Sequence, residues 1–538
     1  MRLFFAMQDS LRTYSSLAHL AKQVFDLPAQ ARYTVGSVVT VRIDAVRKLV
    51  GIACFLPDAP FPYSFVLDGQ IVQPRFSRSF CFVSKQEGKL QAHILWFPFS
   101  SSSQVLKVLD ANGQCVPILH FGKELPWLEK KQLLAPHPPL REPFWVYLVS
   151  RLCSFAKIPQ IIRFFGRKRY AGCWLFADRG FMADDNAEHM YRFMMQEHPE
   201  YTIVFALDKK SPDWHRLEQE GFVLVPIRSL AYLAAYLNCS WLLSSQRTGY
   251  ITKHYWRKWH TDVVKHRFCF LQHGITMNYL PRLNTPHADI IVSSSHAEFQ
   301  ALKQDCRFPY VYSDREVRLT GLPRHDALLR KAEKTHPQKV IIMPSWRHTL
   351  ATGQAGDGQF VFGEGFTSTE FFQRWNRLLQ NSQLHDAVEN AGFTLTFYPH
   401  PHLRPLLHYF AQKNVTTPRA NESIQDLLAQ GALLLTDYSS IAMEIAVVRR
   451  PVVYYQFDQK EFFNTNIKQG RGRGYFDYSQ DGFGEVVTDE DALLALLIEY
   501  LNNGCQMKAY YKGRVEKFFP PNQGKNCQRL YEALQQAF

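Results

Sequence analysis

Three polar clusters follow apolar runs in this chain, and their residue types suit phosphate and proton chemistry. The run FCFLQHG delivers His273 and Gly274 directly after a hydrophobic stretch, and TLTFYPHPH delivers His400 and Pro401 after another. The third, LLLTDYSSIAMEIA, is an apolar run ending in Thr436 and Asp437, with Ser439 and Ser440 opening a helix. A serine at a helix start caps it, and the free backbone N–H groups and dipole there bind phosphate. Glu444 lies one turn into that helix, where a carboxylate could reach ribose hydroxyls; alone it could equally be a solvated helix residue. Histidine titrates near neutrality and can carry a proton either way. One histidine among 20 says little, but two that end strands in successive halves are harder to dismiss. There is no Walker A lysine motif, no GxGxxG after the first strand, no HExxH and no GxSxG, which weakens kinase, dehydrogenase, zincin and hydrolase readings.

The elements that must position these groups alternate in type. From Gly172, CWLFAD, YTIVFAL, FVLVP, WLLSSQ, RFCFLQHG, ADIIVSSS and VRLTG read as strands, with helical stretches such as AEHMYRFMMQEHP and SLAYLAAYLN among them. A second series starts at Lys339 with KVIIMPSW, a long helix near Phe371–Ala391, FTLTFYPH, SIQDLLAQ, GALLLTDYSS and PVVYYQF, and helices close the chain from Asp489. Such alternation predicts parallel sheets covered on both faces. Two series predict two Rossmann-like domains facing across a cleft, with ligands at the carboxyl ends of the strands. The expected fold class is therefore α/β, a pair of Rossmann-like domains.

At 538 residues the chain is long enough for two to four domains. Residues 1–125 read as a helical lead-in and a small β-rich accessory domain, a sandwich or barrel, without catalytic residues. Residues 126–170 form a connector in which Trp145 to Tyr170 carries six basic residues, no acidic one and interleaved aromatics, divided by Pro159 into two helical pieces. That composition suits a helix lying in an anionic membrane interface, or a linker helix with its basic face in water. The Rossmann-like domains are expected at 171–335 and 336–538.

The formal net charge of +14 implies an anionic partner. A second basic stretch, Arg247 to Arg267, also fits that reading, but no nucleic-acid-binding signature accompanies it, so no nucleic acid is expected. Ten scattered cysteines without a CxxC pair predict neither zinc site nor disulfide framework and fit a reducing compartment. The N-terminal sequence lacks signal-peptide features and no window reaches the length of a membrane span.

Taken in order, LFADRGFMADDNAEHMYRFM, QHG at 272–274, TGLPRHDALL, MPSWR, YPHP, TDYSSIAMEIAVVRRPVVYY and RGRGYFDY resemble the CDP-glycerol glycerophosphotransferases, polymerases of teichoic acids and related capsule polymers. The resemblance runs from about Gly172 to about Gly504. It implies a GT-B-type fold, with 171–335 on the acceptor side and 336–538 on the donor side, and transfer of a polyol phosphate from a CDP-polyol donor to a hydroxyl of a polyol-phosphate or glycan-phosphate acceptor, releasing CMP. His273 matches the family's base, and His400 its second essential histidine, which would neutralise charge on the pyrophosphate. Gly274, Thr436, Asp437, Ser439, Ser440 and Glu444 would then bind substrate, with Arg324 and Arg347 as phosphate contacts or loop anchors. The family pattern HGTP followed by lysine is replaced here by His273-Gly274-Ile275-Thr276-Met277-Asn278, leaving donor polyol and acceptor open. No metal site and no obligatory cofactor are expected, although Mg²⁺ could accompany the pyrophosphate. The resemblance and the charge together imply a cytoplasmic protein peripheral to the inner face of the membrane, of open oligomeric state. The alternatives are a nucleotide-sugar glycosyltransferase of the same fold and a non-catalytic anion-binding subunit.

Overall fold

The computed structural model describes residues 13–25, 27, 31–44, 48–57, 61–100, 102–120, 122–134, 157–247, 251, 266–284, 288–303, 308–354, 360–410, 413–417, 423–468, 474–521 and 523–537. The chain divides into two compact units. One comprises Met1–His273, Pro281–Ser293 and Phe299–Leu319; the other comprises Gly274–Leu280, Ser294–Glu298 and Thr320–Phe538.

In the first unit, short β-branched and aromatic runs between turns become β1 (Thr13–Tyr14), β2 (Val38–Asp44), β3 (Leu49–Pro57), β4 (Ser64–Leu67), β5 (Gln70–Val72), β6 (Phe76–Ser84), β7 (Gly88–Pro98), β8 (Val105–Leu109), β9 (Ile118–His120), β10 (Lys123–Leu125) and β11 (Leu128–Glu129). They form a seven-stranded sheet, β1-β6-β7-β3-β2-β9-β10, and a four-stranded sheet, β11-β8-β4-β5. Val50, Ile52 and Phe97 from the larger sheet and Phe65, Leu106 and Val108 from the smaller share one buried core. The β-rich domain is thus two sheets packed face to face. Arg78 on β6 ties it to the 302–312 segment of the same unit: its buried guanidinium donates to the carbonyls of Leu302, Phe308 (3.0 Å) and Tyr312 (2.7 Å).

Much of the connector lies outside the described residues. Its end is one helix, Lys157–Tyr170, with Pro159 in the first turn, where its missing N–H is not needed. Gly166 lets this helix approach the helix Leu230–Asn238, since a Cβ there would lie 2.7 Å from that of Ala234.

Next come β12 (Trp174–Ala177), β13 (Ile203–Leu207), β14 (Leu224–Pro226), β15 (Trp241–Ser244), β16 (Arg267–Phe270), β17 (Ile290–Ser293) and β18 (Val317–Leu319). They pair in parallel in the order β14-β13-β12-β15-β16-β17-β18. Strands such as WLFA and IIVS are buried throughout, as a sheet covered on both faces requires. The strand order reverses between β12 and β15, the position at which such sheets bind ligands.

The second unit holds β19 (Lys339–Met343), the hairpin β20 (Ala351–Gln354) and β21 (Phe360–Phe362), β22 (Thr394–Phe397), β23 (Gly431–Thr436), β24 (Val452–Tyr455) and β25 (Gly484–Val487). Its main sheet is parallel, β22-β19-β23-β24-β25, with the reversal between β19 and β23. Ile342, Leu433, Leu435 and Val453 pack there against Trp375 and Leu378. The long helix expected near 371–391 is two helices, Glu370–Gln380 and Ser382–Asn390. Asn381 separates them because its side chain accepts the N–H of Leu384 at 3.0 Å and caps the second. The helix Pro323–Lys334, expected in the 171–335 domain, belongs to the second unit. Asp326 on it accepts the N–H groups of Asn526 (3.0 Å) and Cys527 (2.8 Å), satisfying the start of the helix Asn526–Gln536. Among the described residues no helix is long and apolar enough to cross a membrane.

Candidate active site

At the reversal of the first sheet, Asp178 follows β12 directly and is fully buried. Its carboxylate accepts the N–H groups of Asp185 (3.1 Å), Ala187 (2.9 Å) and Glu188 (3.1 Å) and the Ser245 hydroxyl (2.5 Å). It thereby satisfies the start of the helix Asn186–Glu197 and links the ends of β12 and β15. Burial, reinforced by the nearby charge of Asp185, pushes the Asp178 carboxyl well above its ordinary value. Glu188 shows the opposite balance: against burial, Arg216 and Arg192 hold its carboxyl down to about 2.

His273 leaves the end of β16 on a constrained backbone. Gln272 adopts a left-handed φ of 63°. It is held there by its side-chain amide on the carbonyl of Val292 (2.5 Å) and by the Asn186 amide on its own carbonyl (2.9 Å). A non-glycine residue in that region is uncommon, and here the surroundings over-determine it. The His273 ring is exposed and lies between two partners. Nδ1 is 2.5 Å from Oδ2 of Asp185, and Nε2 meets the Arg179 guanidinium. A carboxylate accepts, so Nδ1 carries the hydrogen that faces Asp185.

Within the second unit, the accessible residues are distinct from the buried ones. Ser439 and Ser440 are half-buried before the seven-residue helix Ile441–Val447. Ser440 occupies the cap position without a side-chain cap bond, because its φ and ψ of −66° and −10° are helical rather than extended. Ser439 Oγ instead accepts the N–H of Ile441 at 3.3 Å. A Cβ on Gly274 would lie 3.1 Å from Oγ of Ser440. The segment after Gly274 is anchored by Glu298, which accepts the N–H groups of Thr276 (2.9 Å) and Ser294 (2.7 Å). It is backed by Gly474, where any Cβ would collide with the Met277 carbonyl. His400 caps the 3₁₀ segment Pro401–Tyr409. Its Nδ1 accepts the N–H of His402 at 3.2 Å, and its ring stacks at 26° on Trp346 of the MPSWR block.

The other expected site residues are buried and occupied. Thr436 donates to the carbonyl of Met343 (2.7 Å), and Asp437 accepts the N–H of Ser345 (2.9 Å), joining β23 to β19 at the reversal. Arg347 pairs with Asp437 (2.9 Å) and Asp458 (2.7 Å) and lies over Tyr438 and Phe462. Against burial, those two carboxylates raise its guanidinium further above its ordinary range. Glu444 is taken up by Arg324 (2.5 Å) and His325 (3.1 Å), inside the protein rather than toward a ribose. Against burial, Arg324 and then His325 hold its carboxyl well below the ordinary range. Buried charges need such partners.

Asp185, Asp178 and Arg179 were not singled out by the sequence, although LFADRGFMADDN carried a signal: an acid ending a strand and two more at a helix start. Of the basic stretch 247–267, only Arg247, Ile251, His266 and Arg267 are described, and 471–473 of the RGRGYFDY block lie outside the described residues. No group of three or more potential metal ligands occurs among the described residues.

Comparison with known proteins places the chain in a family. Over 369 residues the chain is 29% identical to the minor teichoic acid biosynthesis protein GgaB of Bacillus subtilis, covering 67% of this chain and 39% of that one. It is 21% identical to a teichoic acid glycerol-phosphate transferase of Staphylococcus aureus, covering 65% of this chain and 89% of that one. The chain spans less than half the length of GgaB and of the poly(glycerol phosphate) polymerases that it matches. The solved wall teichoic acid polymerase TagF shares the fold, with a TM-score of 0.51 and 16% identity over 73% of this chain and 98% of that one. The family model for CDP-Glycerol:Poly(glycerophosphate) glycerophosphotransferase matches residues 160–536. The chain belongs to that family.

Proposed function

We propose that this protein transfers a polyol phosphate from a CDP-polyol to a hydroxyl of a growing surface polymer and releases CMP. The observation that carries the reading is the Asp185–His273 pair, in which the carboxylate orients the imidazole from Nδ1 and leaves Nε2 as the nitrogen for proton transfer. The acceptor oxygen forms a bond to the β-phosphorus, its proton passes to Nε2, and the bond from that phosphorus to the CMP oxygen breaks with its electron pair. Asp185 steadies the imidazolium that results, as a carboxylate does behind a histidine base. On the donor side, His400 accepts at Nδ1 and so offers Nε2–H to the departing phosphate, which stabilises charge without requiring a second proton. Ser439, Ser440 and Gly274 are assigned to the donor phosphates. Thr436, Asp437, Arg324, Arg347 and Glu444 position them from beneath. No step is assigned to a metal, and a divalent ion accompanying the pyrophosphate is compatible with the scheme.

The acceptor polymer and the site of synthesis lead to the same surface. In the helix Lys157–Tyr170, Ile161, Phe164, Phe165 and Lys168 are exposed at helical spacing, with Arg167 and Arg169 beside them. Exposed phenylalanines among cations suit the headgroup region of an anionic leaflet. That helix supports a reading of the protein as peripheral to the inner membrane face.

The test is CMP release by purified protein with CDP-glycerol or CDP-ribitol and a short polyol-phosphate acceptor. Acceptor-dependent CMP from one donor supports the reading and identifies the polyol. UDP released from a sugar nucleotide, without CMP from either donor, overturns it.

A further inference from the structure

Three arginines near the ends of these sheets are neutralised by carboxylates. Arg324 faces Glu444, Arg347 faces Asp437 and Asp458, and Arg216 faces Glu188 and Asp213. Arg179 differs. It follows Asp178 at the end of β12 and is half-buried, and among the described residues its side chain has the His273 ring as partner and no carboxylate. A guanidinium whose partner is an imidazole edge uses few of its five donors. It stands at the ligand-binding end of a parallel sheet, where an incoming anion would complete it. The chain offers no other cation nearby in sequence after the histidine: from Gly274 to Pro281 there is neither lysine nor arginine.

We infer that Arg179 is a phosphate-binding residue that also covers the base. Its guanidinium lies against Nε2 of His273, the nitrogen that must take the acceptor proton. A phosphate oxyanion offers the planar fork a better acceptor, with charge and two oxygens. When one binds, the guanidinium transfers to it and Nε2 is uncovered. The base can therefore take a proton only while a phosphate is in place. The inference rests on the proposed phosphotransfer for its meaning, but the phosphate site stands on geometry alone. The oxyanion could belong to the donor β-phosphate or to the terminal phosphate of the acceptor; the chemistry of recognition is the same.

The deciding experiment is calorimetric titration of the full chain with CDP-glycerol and, separately, with glycerol phosphate. Wild type, Arg179→Gln, Arg179→Lys and His273→Gln are compared, with unfolding midpoints as fold controls. Loss of affinity of roughly tenfold or more for at least one titrant in Arg179→Gln, partly restored in Arg179→Lys, is the expected result. Weakening confined to CDP-glycerol assigns the donor phosphate, and weakening confined to glycerol phosphate assigns the acceptor. Wild-type affinity for both titrants in Arg179→Gln overturns the inference, as does a wild type that binds neither. If binding depends on Arg179 but no acceptor-dependent CMP appears in the release assay, the phosphate site stands and the phosphotransfer reading falls.

Discussion

The strand-order reversals of the two sheets carry similar residue types in opposite electrostatic conditions. In the first, an exposed histidine stands between a carboxylate and a guanidinium. In the second, Arg324, Arg347, Asp437 and Glu444 are buried and matched charge for charge. An arginine near a ligand-binding edge is thus not evidence of ligand contact until its partners are known. The matched set is spent on holding the edge of its sheet together, whereas Arg179 faces a histidine ring.

Breaking the His273 side should have the largest effect. His273→Ala should lower acceptor-dependent CMP release on the order of 10²- to 10⁴-fold with circular dichroism unchanged. Asp185→Asn keeps the ring but weakens its hold on Nδ1–H, and should lower kcat on the order of 10²-fold at unaltered donor affinity. Near-normal turnover in either would make the dyad incidental to catalysis.

On the matched side the effect should be on stability. Glu444→Ala strands Arg324 and His325 in the interior and should cost about 3–5 kcal/mol in denaturant unfolding. Arg324→Met combined with Glu444→Gln should recover part of it; a variant as stable as wild type would show the network to be dispensable. A smaller loss, about 1–3 kcal/mol by the same measurement, is expected for Gly474→Ala, which must displace the Met277 backbone.

The two sides should also differ in sign with pH. Glu444 is held below its ordinary 4.5, so its contribution is complete above that value and is lost as pH falls through the lower folded value. Asp178 is raised above 3.8, so the folded chain keeps a proton that the unfolded chain has released. Its contribution declines as pH rises from 3.8 through the raised value. Glu444→Gln should flatten the acid limb of a urea-midpoint profile and Asp178→Asn the opposing limb; parallel profiles would contradict the assignment of the charges.

Runs such as WLFA, IIVS and GALLLT made the sheets legible, because strands covered on both faces must be apolar along their length. The positions of His273 and His400 at strand ends were legible for the same reason. What each polar residue touches was not. Asp185 and Arg179 meet His273 across 88 and 94 residues, and Arg324 and Arg347 find their carboxylates 120 and 111 residues away. No local pattern encodes those distances. The break at Asn381 was missed because an apolar stripe continues across it while a single amide caps the next turn.

Asp326 also constrains the order in which the second unit can be completed during synthesis. The groups that satisfy its buried carboxylate are the amides of Asn526 and Cys527, 200 and 201 residues further along the chain. Gly321 and Leu322 lean on the same asparagine, and Thr320 accepts from Arg529. Until the ribosome has delivered that helix, the segment 320–326 holds an unsatisfied charge and an open seam. A nascent chain paused anywhere in that interval would expose the seam to chaperones and proteases, whereas a finished one would not.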